Sequence, residues 1–512
     1  MITSGVLERP GRWRVAGLAM LVILFIAPAM PLLQRASGPM LPVLSGAFGT
    51  ALASSLSIAL AAGLTAFLIG WPAGVLAAAY EFRGKRLVLA LASLPLLAPS
   101  LLWSIGWSVL LTRLGLSFAV SPALAAVLVF STVAAPLVLI VTWLSCRGLT
   151  GSQVDACRLA GGESQVLRYL LRFTAVPAAL AAGLGGVLTL SDPAPAQIFG
   201  ARSAAAQILT SFSALYDFEL AARQCIALAV IALLLALPLA VVGGPRIATV
   251  VLARQLRPFR PAYRRAMARV ARATLMLFVT IAIVVPATGL VLPLAGGHQF
   301  ARAMDHVQRT APDTLFYAAG AGVFAVSLGF LLAFVVGRQP KLRAGAVAVL
   351  LAVFALPPAV TALGLVQLAA DAPVWADGLL RSRLTVCIAL GLRFMPVAAV
   401  IGLWAWASMS PSWADAANLY GVSFSTYLRR VLLLFFAPAA VSGGMLVALL
   451  ATADVGTVLL LHPPGAASLP LAIFTVMANA PEALVASLCL VYLLVSAGLV
   501  GGLWVLAGKR RA

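Results

Sequence analysis

The sequence predicts an all-α polytopic membrane protein of about twelve transmembrane helices, arranged as two parallel six-helix repeats. Three observations carry that prediction. Apolar runs of about 20 residues, the length that crosses the hydrocarbon of a bilayer, recur along a chain that is 62% hydrophobic and only 10% charged. Basic residues gather in the gaps on one side of these runs. Features of the first half return in the second at a nearly constant interval: Asp155 and Asp415, Gly161 and Gly421, and Leu171 and Val431 are each 260 residues apart. Such a composition excludes a soluble globular fold.

The runs, in order, are 15–33, 51–80, 87–111, 123–145, 174–198 and 223–243, then 271–293, 313–337, 344–370, 383–407, 434–460 and 483–507. All are expected to be helices, because an apolar helix satisfies its own backbone groups in lipid. The charged start (Arg9, Arg12, Arg14) leads directly into an apolar run long enough to span, so a cleavable leader is not expected. The chain divides into a first half, 1–243, a basic linker, 244–270, and a second half, 271–512.

An even number of crossings puts both termini on one side. Lys509, Arg510 and Arg511 agree with the N-terminal arginines that this side is cytoplasmic. The short basic loops Glu81–Arg86 and Gly337–Arg343 fall on the same side, as does the arginine-rich stretch Gly244–Arg272. The net charge of +21 is thereby explained by orientation and contact with anionic lipid, and no nucleic-acid partner is expected. The five cysteines have no CxxC spacing and mostly lie in or beside apolar runs, which argues against a disulfide framework or a metal site. His298, His306 and His462 fall in predicted outer loops and read as solvated side chains.

The repeat extends beyond the two loops. Pro136 and Pro396 are 260 apart, Gly70 and Gly329 are 259 apart, Pro95 and Pro357 are 262 apart, and Leu190 and Leu450 are again 260 apart. Both halves keep the same order and sidedness, so the repeat is parallel and its axis runs along the membrane normal.

The most informative stretches are the polar ones between crossings four and five and between ten and eleven. The first reads Asp155-Ala156-Cys157, three residues, Gly161, nine residues, Leu171; the second reads Asp415-Ala416-Ala417, three residues, Gly421, nine residues, Val431. This grammar resembles the cytoplasmic E-A-A-x3-G-x9-I-x-L-P loop of binding-protein-dependent ABC import permeases, in which a short helix docks into a groove on the ATPase subunit. Asp replaces Glu in both copies and Cys157 replaces an alanine. Thr174 and Leu434 stand where the family has its closing proline, with Pro177 and Pro438 arriving later. Leu392-Arg393-Phe394-Met395-Pro396, Leu461-His462-Pro463-Pro464-Gly465 and Ser468-Leu469-Pro470 resemble the fused permeases of ferric-iron, thiamine and aminophosphonate importers. Leu190-Ser191-Asp192-Pro193 and Tyr216-Asp217 resemble them more loosely.

The resemblance implies a type I importer-like fold in which one chain does the work of two permease subunits. It also implies two copies of a separate ABC ATPase, which would hold ATP and Mg, and an extracytoplasmic solute-binding protein. The location would be the inner (cytoplasmic) membrane. No P-loop occurs, so this chain is expected to bind no nucleotide or other cofactor and to be no enzyme. The expected coupling residues are Asp155, Ala156, Gly161, Asp415, Ala416, Ala417 and Gly421. The alanines would give a narrow docking face, the aspartates would favour a helix start, and the glycines would permit an abrupt turn. Arg168, Arg172, Arg429 and Arg430 would sit near lipid headgroups. The competing class is an ion-driven secondary transporter of the major facilitator type, which shares twelve spans and a basic central linker. It is disfavoured because the long repeated loop here is the one after the fourth crossing.

Arg393 stands out. By the limits above it lies roughly 15 Å deep at 1.5 Å per residue, where an arginine costs about 2.5–3.5 kcal/mol on insertion scales. Its repeat counterpart is Val133, so the charge occurs once. Asp454 is its expected partner, alone or shared with Asp192, the approximate counterpart in the other half; the three either line the pathway between the halves or form a structural ion pair that fixes crossings ten and eleven.

Overall fold

The computed structural model describes residues 19–509, except 21, 118, 251–258, 263, 297–298, 338 and 411. Arg9, Arg12, Arg14, His298, Arg510, Arg511 and the middle of the linker lie outside the described residues, as does most of the first half of the 15–33 run. Within the described residues the chain is a multi-pass helical membrane protein. Nine helices are long and apolar enough to cross a bilayer, or eleven crossings if each of two bent pairs is one span.

In chain order the helices are α1 (Ala47–Ala79), α2 (Lys85–Leu97), α3 (Ser100–Arg113), α4 (Pro122–Ser145), α5 (Gly151–Thr189), α6 (Ala194–Phe199) and α7 (Phe218–Val250). There follow α8 (Arg265–Val279), α9 (Phe300–Val336), α10 (Pro340–Phe354), α11 (Pro358–Ala370), α12 (Arg383–Ser408), α13 (Ser412–Leu419) and α14 (Leu433–Ala453), then α15 (Val455–Leu461), α16 (Leu469–Val476) and α17 (Glu482–Lys509). The pair α2 and α3 bends by 94°, and the pair α10 and α11 bends by 75°. Pro99 and Pro357 sit at these breaks in extended conformation, where each lacks the N–H that would continue a helix.

Several predicted boundaries are corrected. The runs drawn to 198 and 460 stop being one helix at Thr189 and Ala453, and short helices α6 and α15 follow. Hydropathy cannot see these breaks, because the residues beyond them remain apolar. The linker drawn at 244–270 is shorter, since α7 continues to Val250 and α8 begins at Arg265. Helix α9 starts at Phe300, so His306 is helical rather than in a loop.

Close helix approach is built on small residues, which let backbones near one another in lipid where hydrophobic burial gives no drive. A Cβ on Gly70 of α1 would lie 2.6 Å from the Ala135 carbonyl oxygen of α4, and one on Gly329 of α9 would lie 2.6 Å from the Ala399 nitrogen of α12. A Cβ on Gly186 of α5 would meet the Ala59 oxygen at 2.8 Å, and one on Gly322 of α9 would meet the Gly444 oxygen of α14 at 2.8 Å. Two further contacts join the halves. A Cβ on Gly106 of α3 would lie 2.3 Å from the Pro286 oxygen, and one on Gly364 of α11 would lie 1.6 Å from the Pro28 oxygen. Pro28 and Pro286 are 258 residues apart, as are Gly106 and Gly364. Pro28 caps the short helix Ala29–Arg35 and Pro286 lies in the helix Val285–Val291, so a segment early in each half packs on the other half.

Loop anchors recur in the same way. The Ala204 amide donates to Ser55 Oγ (2.9 Å) and the Leu469 amide donates to Thr314 Oγ1 (2.8 Å). The described end of the linker lies along the first half: Ala262 N–H donates to the Ala79 oxygen (2.9 Å) and Phe259 N–H to the Leu149 oxygen (3.0 Å). This places the linker, the α1–α2 loop and the start of α5 on one face.

Gly70→Val and Gly329→Val are expected to lower the thermal stability of the purified protein by about 1–3 kcal/mol, the usual cost of overpacking. Exposed Gly345 has open space around its Cβ position, and Gly345→Ala should leave the melting temperature unchanged or slightly raised.

Candidate functional site

Where α5 and α14 break, each break exposes a carboxylate to the space between the halves. Asp454 precedes α15 and caps it, its Oδ1 accepting the Thr457 amide at 3.1 Å and its Oδ2 accepting the Thr457 hydroxyl at 2.5 Å. Asp192 lies two residues before α6, with Pro193 at the cap position, and its Oδ1 accepts the Ala194 amide at 3.0 Å. Its Oδ2 accepts the Ser100 hydroxyl of α3 at 2.5 Å. Local chemistry accounts for both breaks, since an aspartate competes for backbone N–H groups and favours a helix start over a helix interior.

Arg393 of α12 donates through Nη1 to Asp454 Oδ2 at 2.8 Å, with side chains only 22% and 4% exposed. Its guanidinium also lies 5.3 Å from the centre of the Phe394 ring. The three charged residues line one cavity of about 180 Å³ with Ser100, Ser191, Phe130, Phe354 and Phe474. Residues 96–194 of the first half and 354–474 of the second contribute to it, so it lies between them. Arg393 pairs with Asp454 alone; Asp192 forms no salt bridge among the described residues.

The two polar loops are built differently. Around the first, Thr150 and Gln153 form a capping box at the start of α5. Asp155 therefore does not cap the helix as expected; it pairs with Arg158 at 3.0 Å. Glu163, 13% exposed, accepts from Arg158 Nε at 3.0 Å, Arg264 Nε at 3.0 Å and the Tyr80 hydroxyl at 3.1 Å. Burial first, then the Glu163 carboxylate, pushes the Tyr80 hydroxyl up to about 12, so it remains a donor at neutral pH. The abrupt turn expected at Gly161 is carried by its neighbour: Gly161 is extended at φ −169°, while Gly162 is left-handed at φ +67°.

In the second loop Gly421 does take the left-handed conformation, at φ +62°. Asp415 lies in the first turn of α13. Ala416 and Ala417 line an open hollow of about 470 Å³ with Trp413, Tyr420, Tyr427 and Val431. Trp413 packs edge-on against Phe435, which in turn packs on Phe436. Arg168, Arg172, Arg429 and Arg430 are all exposed.

Sequence reading overlooked one pair in these loops. Leu159 is 91% exposed and Leu419 is 85% exposed, and they are 260 residues apart. Both side chains are therefore largely uncovered at equivalent places of the two loops. The fixed offset was the available signal, since each follows its aspartate by four residues.

No family model matches the chain, and neither a curated protein nor a solved structure matches it.

Replacing Arg393 alone leaves Asp454 buried without its counter-charge, at a cost of about 3–5 kcal/mol. Arg393→Met should accordingly lower the melting temperature of the purified chain. Combining it with Asp454→Asn, which keeps an acceptor for the Thr457 amide, should recover much of the loss. A double variant no more stable than Arg393→Met would show the two side chains to be uncoupled.

Proposed function

We propose that the chain is the membrane-spanning subunit of an ATP-driven importer. A small solute is delivered by an extracytoplasmic binding protein and passes by alternating access between two six-helix halves. Energy comes from ATP and Mg on two copies of a separate ATPase, which dock on the two polar loops. In this reading both termini are cytoplasmic, the membrane is the inner one, and the first half, linker and second half correspond to 1–243, 244–270 and 271–512 with the helix limits corrected above.

The observation that carries the reading is the pair of solvent-facing segments of closely similar composition 260 residues apart. Asp155-Ala156 with Leu159, and Asp415-Ala416-Ala417 with Leu419, are each followed by a left-handed glycine, Gly162 and Gly421. Two equivalent docking helices are what a dimeric ATPase needs from a single chain. The inter-half contacts at positions 258 apart, and the cavity lined from both halves, support a repeat that works as a pseudo-dimer.

Two tests follow from the loops. Leu159→Asp and Leu419→Asp should leave the protein inserted and folded but weaken its co-purification with the ATPase. Gly421→Val has no steric neighbour to meet, so its effect is confined to a backbone conformation that costs about 1–2 kcal/mol for a residue with a side chain. It should misdirect α13 and abolish stimulation of ATP hydrolysis by the binding protein. Proton-driven uptake by the chain alone, with both leucine variants active, would overturn the proposal.

A second measurement addresses sidedness. Cysteines placed at Arg260, Leu159 or Leu419 should react with an impermeant reagent only after the membrane is opened. Labelling of all three in intact cells would reverse the assigned topology.

A further inference from the structure

The cavity between the halves has an unbalanced set of charges. Two carboxylates and one guanidinium line it. Nη1 of Arg393 donates to Asp454, whose two oxygens also accept the amide and hydroxyl of Thr457. Asp454 is 4% exposed and has little left to offer a solute. Asp192 is different: it is only partly buried, accepts one hydroxyl and one amide, and forms no salt bridge among the described residues. Two donors leave about half of the lone-pair positions of an ionised carboxylate open, and a carboxylate held away from bulk water requires a counter-charge or further donors.

A second observation points the same way. Ser191, next to Asp192 and lining the same cavity, is 8% exposed, and its hydroxyl has no hydrogen-bond partner. Apart from Ser100 and Thr189 the remaining walls are mostly apolar, with the rings of Phe130, Phe354 and Phe474 among them. Aromatic faces carry partial negative charge and attract cations while repelling anions. An anion would meet two carboxylates against one guanidinium, whose Nη1 is held by Asp454, so the charged lining as a whole favours a positive group.

Resting on the importer reading, we propose that this cavity is the solute site and that its solute class is a small organic cation held by Asp192 against aromatic walls. Its volume of about 180 Å³ is slightly above the roughly 150 Å³ that accommodates benzene in a protein interior. The bound group is thus a single compact ammonium or amidinium moiety rather than an extended molecule.

The test compares three compounds of similar shape on the full chain in lipid nanodiscs: tetramethylammonium (positive), tert-butanol (neutral) and pivalate (negative). Tetramethylammonium should bind saturably, and the other two should not compete with it. Asp192→Asn should weaken that binding by about tenfold or more, the scale of losing one close charge partner, while Asp192→Glu should restore part of it. Elution volume and melting temperature report whether each variant is folded; if Asp192→Asn does not fold, the comparison of the three compounds on the unaltered chain decides. Binding of pivalate equal to or tighter than that of tetramethylammonium overturns the proposal. So does a folded Asp192→Asn that binds tetramethylammonium as the unaltered chain does, or an unaltered chain that does not bind it. This measurement uses neither ATPase nor binding protein, so failure of the docking tests above and failure of cation binding are separately visible.

Discussion

The Arg393–Asp454 pair is the constraint around which the centre of the molecule is arranged. A guanidinium on an apolar helix must be matched where it lies, because moving it to water would unpack the helix that carries it. The match comes from a helix break rather than from a helix face. Asp454 can accept from Arg393 because α14 has ended one residue earlier, and the same carboxylate starts α15 by capping Thr457. One side chain thus ends a crossing, begins the next element and neutralises a charge on α12. The first half repeats the break with Asp192 but supplies Ser100 in place of an arginine. The two breaks are thereby left with unequal charge.

The halves around this centre are interlocked. Gly106 against Pro286 and Gly364 against Pro28 bring a helix from each half onto the other at backbone-to-backbone distance. In a bilayer such contacts hold by packing and by complementary shape, since lipid tails are as apolar as the helices. The C-terminal helix adds to this, with Trp504 donating to Ser93 of α2 at 3.4 Å and its ring 5.9 Å from that of Trp143. Sliding one half past the other would lose contacts at all of these places together.

The two polar loops share a pattern but not a setting. In the first, Glu163 gathers Arg158, Arg264 and Tyr80, and the linker end pairs with the backbone of residues 79, 81 and 149. The position equivalent to Glu163 in the second half is Ser423, whose hydroxyl contacts only Ser425, Thr426 and the Thr426 amide among its described hydrogen bonds. The first loop is consequently bound to the body by charge, while the second rests on the aromatic stack of Trp406 and Phe436. Ion pairs in a half-buried setting are directional and fix orientation; aromatic stacking tolerates rotation. The two loops are therefore held to the body by interactions of different kinds.

How much of this was legible from the residues alone follows from the range of each interaction. Crossing helices, a basic linker and a duplicated loop were readable because length, hydropathy and sequence offset are local quantities. The partner of Arg393 was readable too, because few acids lie within an apolar region and only Asp454 was near enough in the chain. The helix breaks at Asp192 and Asp454 were not, since the residues after them are as apolar as those before. The left-handed position in the first loop fell one residue away from the expected glycine, because two adjacent glycines give the backbone a choice that only the packing of α5 settles. The network around Glu163 joins residues 80, 158, 163 and 264, and no pattern in the sequence relates them. The sequence by itself determined which segments avoid water and where the chain repeats, because burial energy is additive along a helix. Only the tertiary structure decided which charges meet, because an ion pair depends on distances of a few ångströms between segments far apart in the chain.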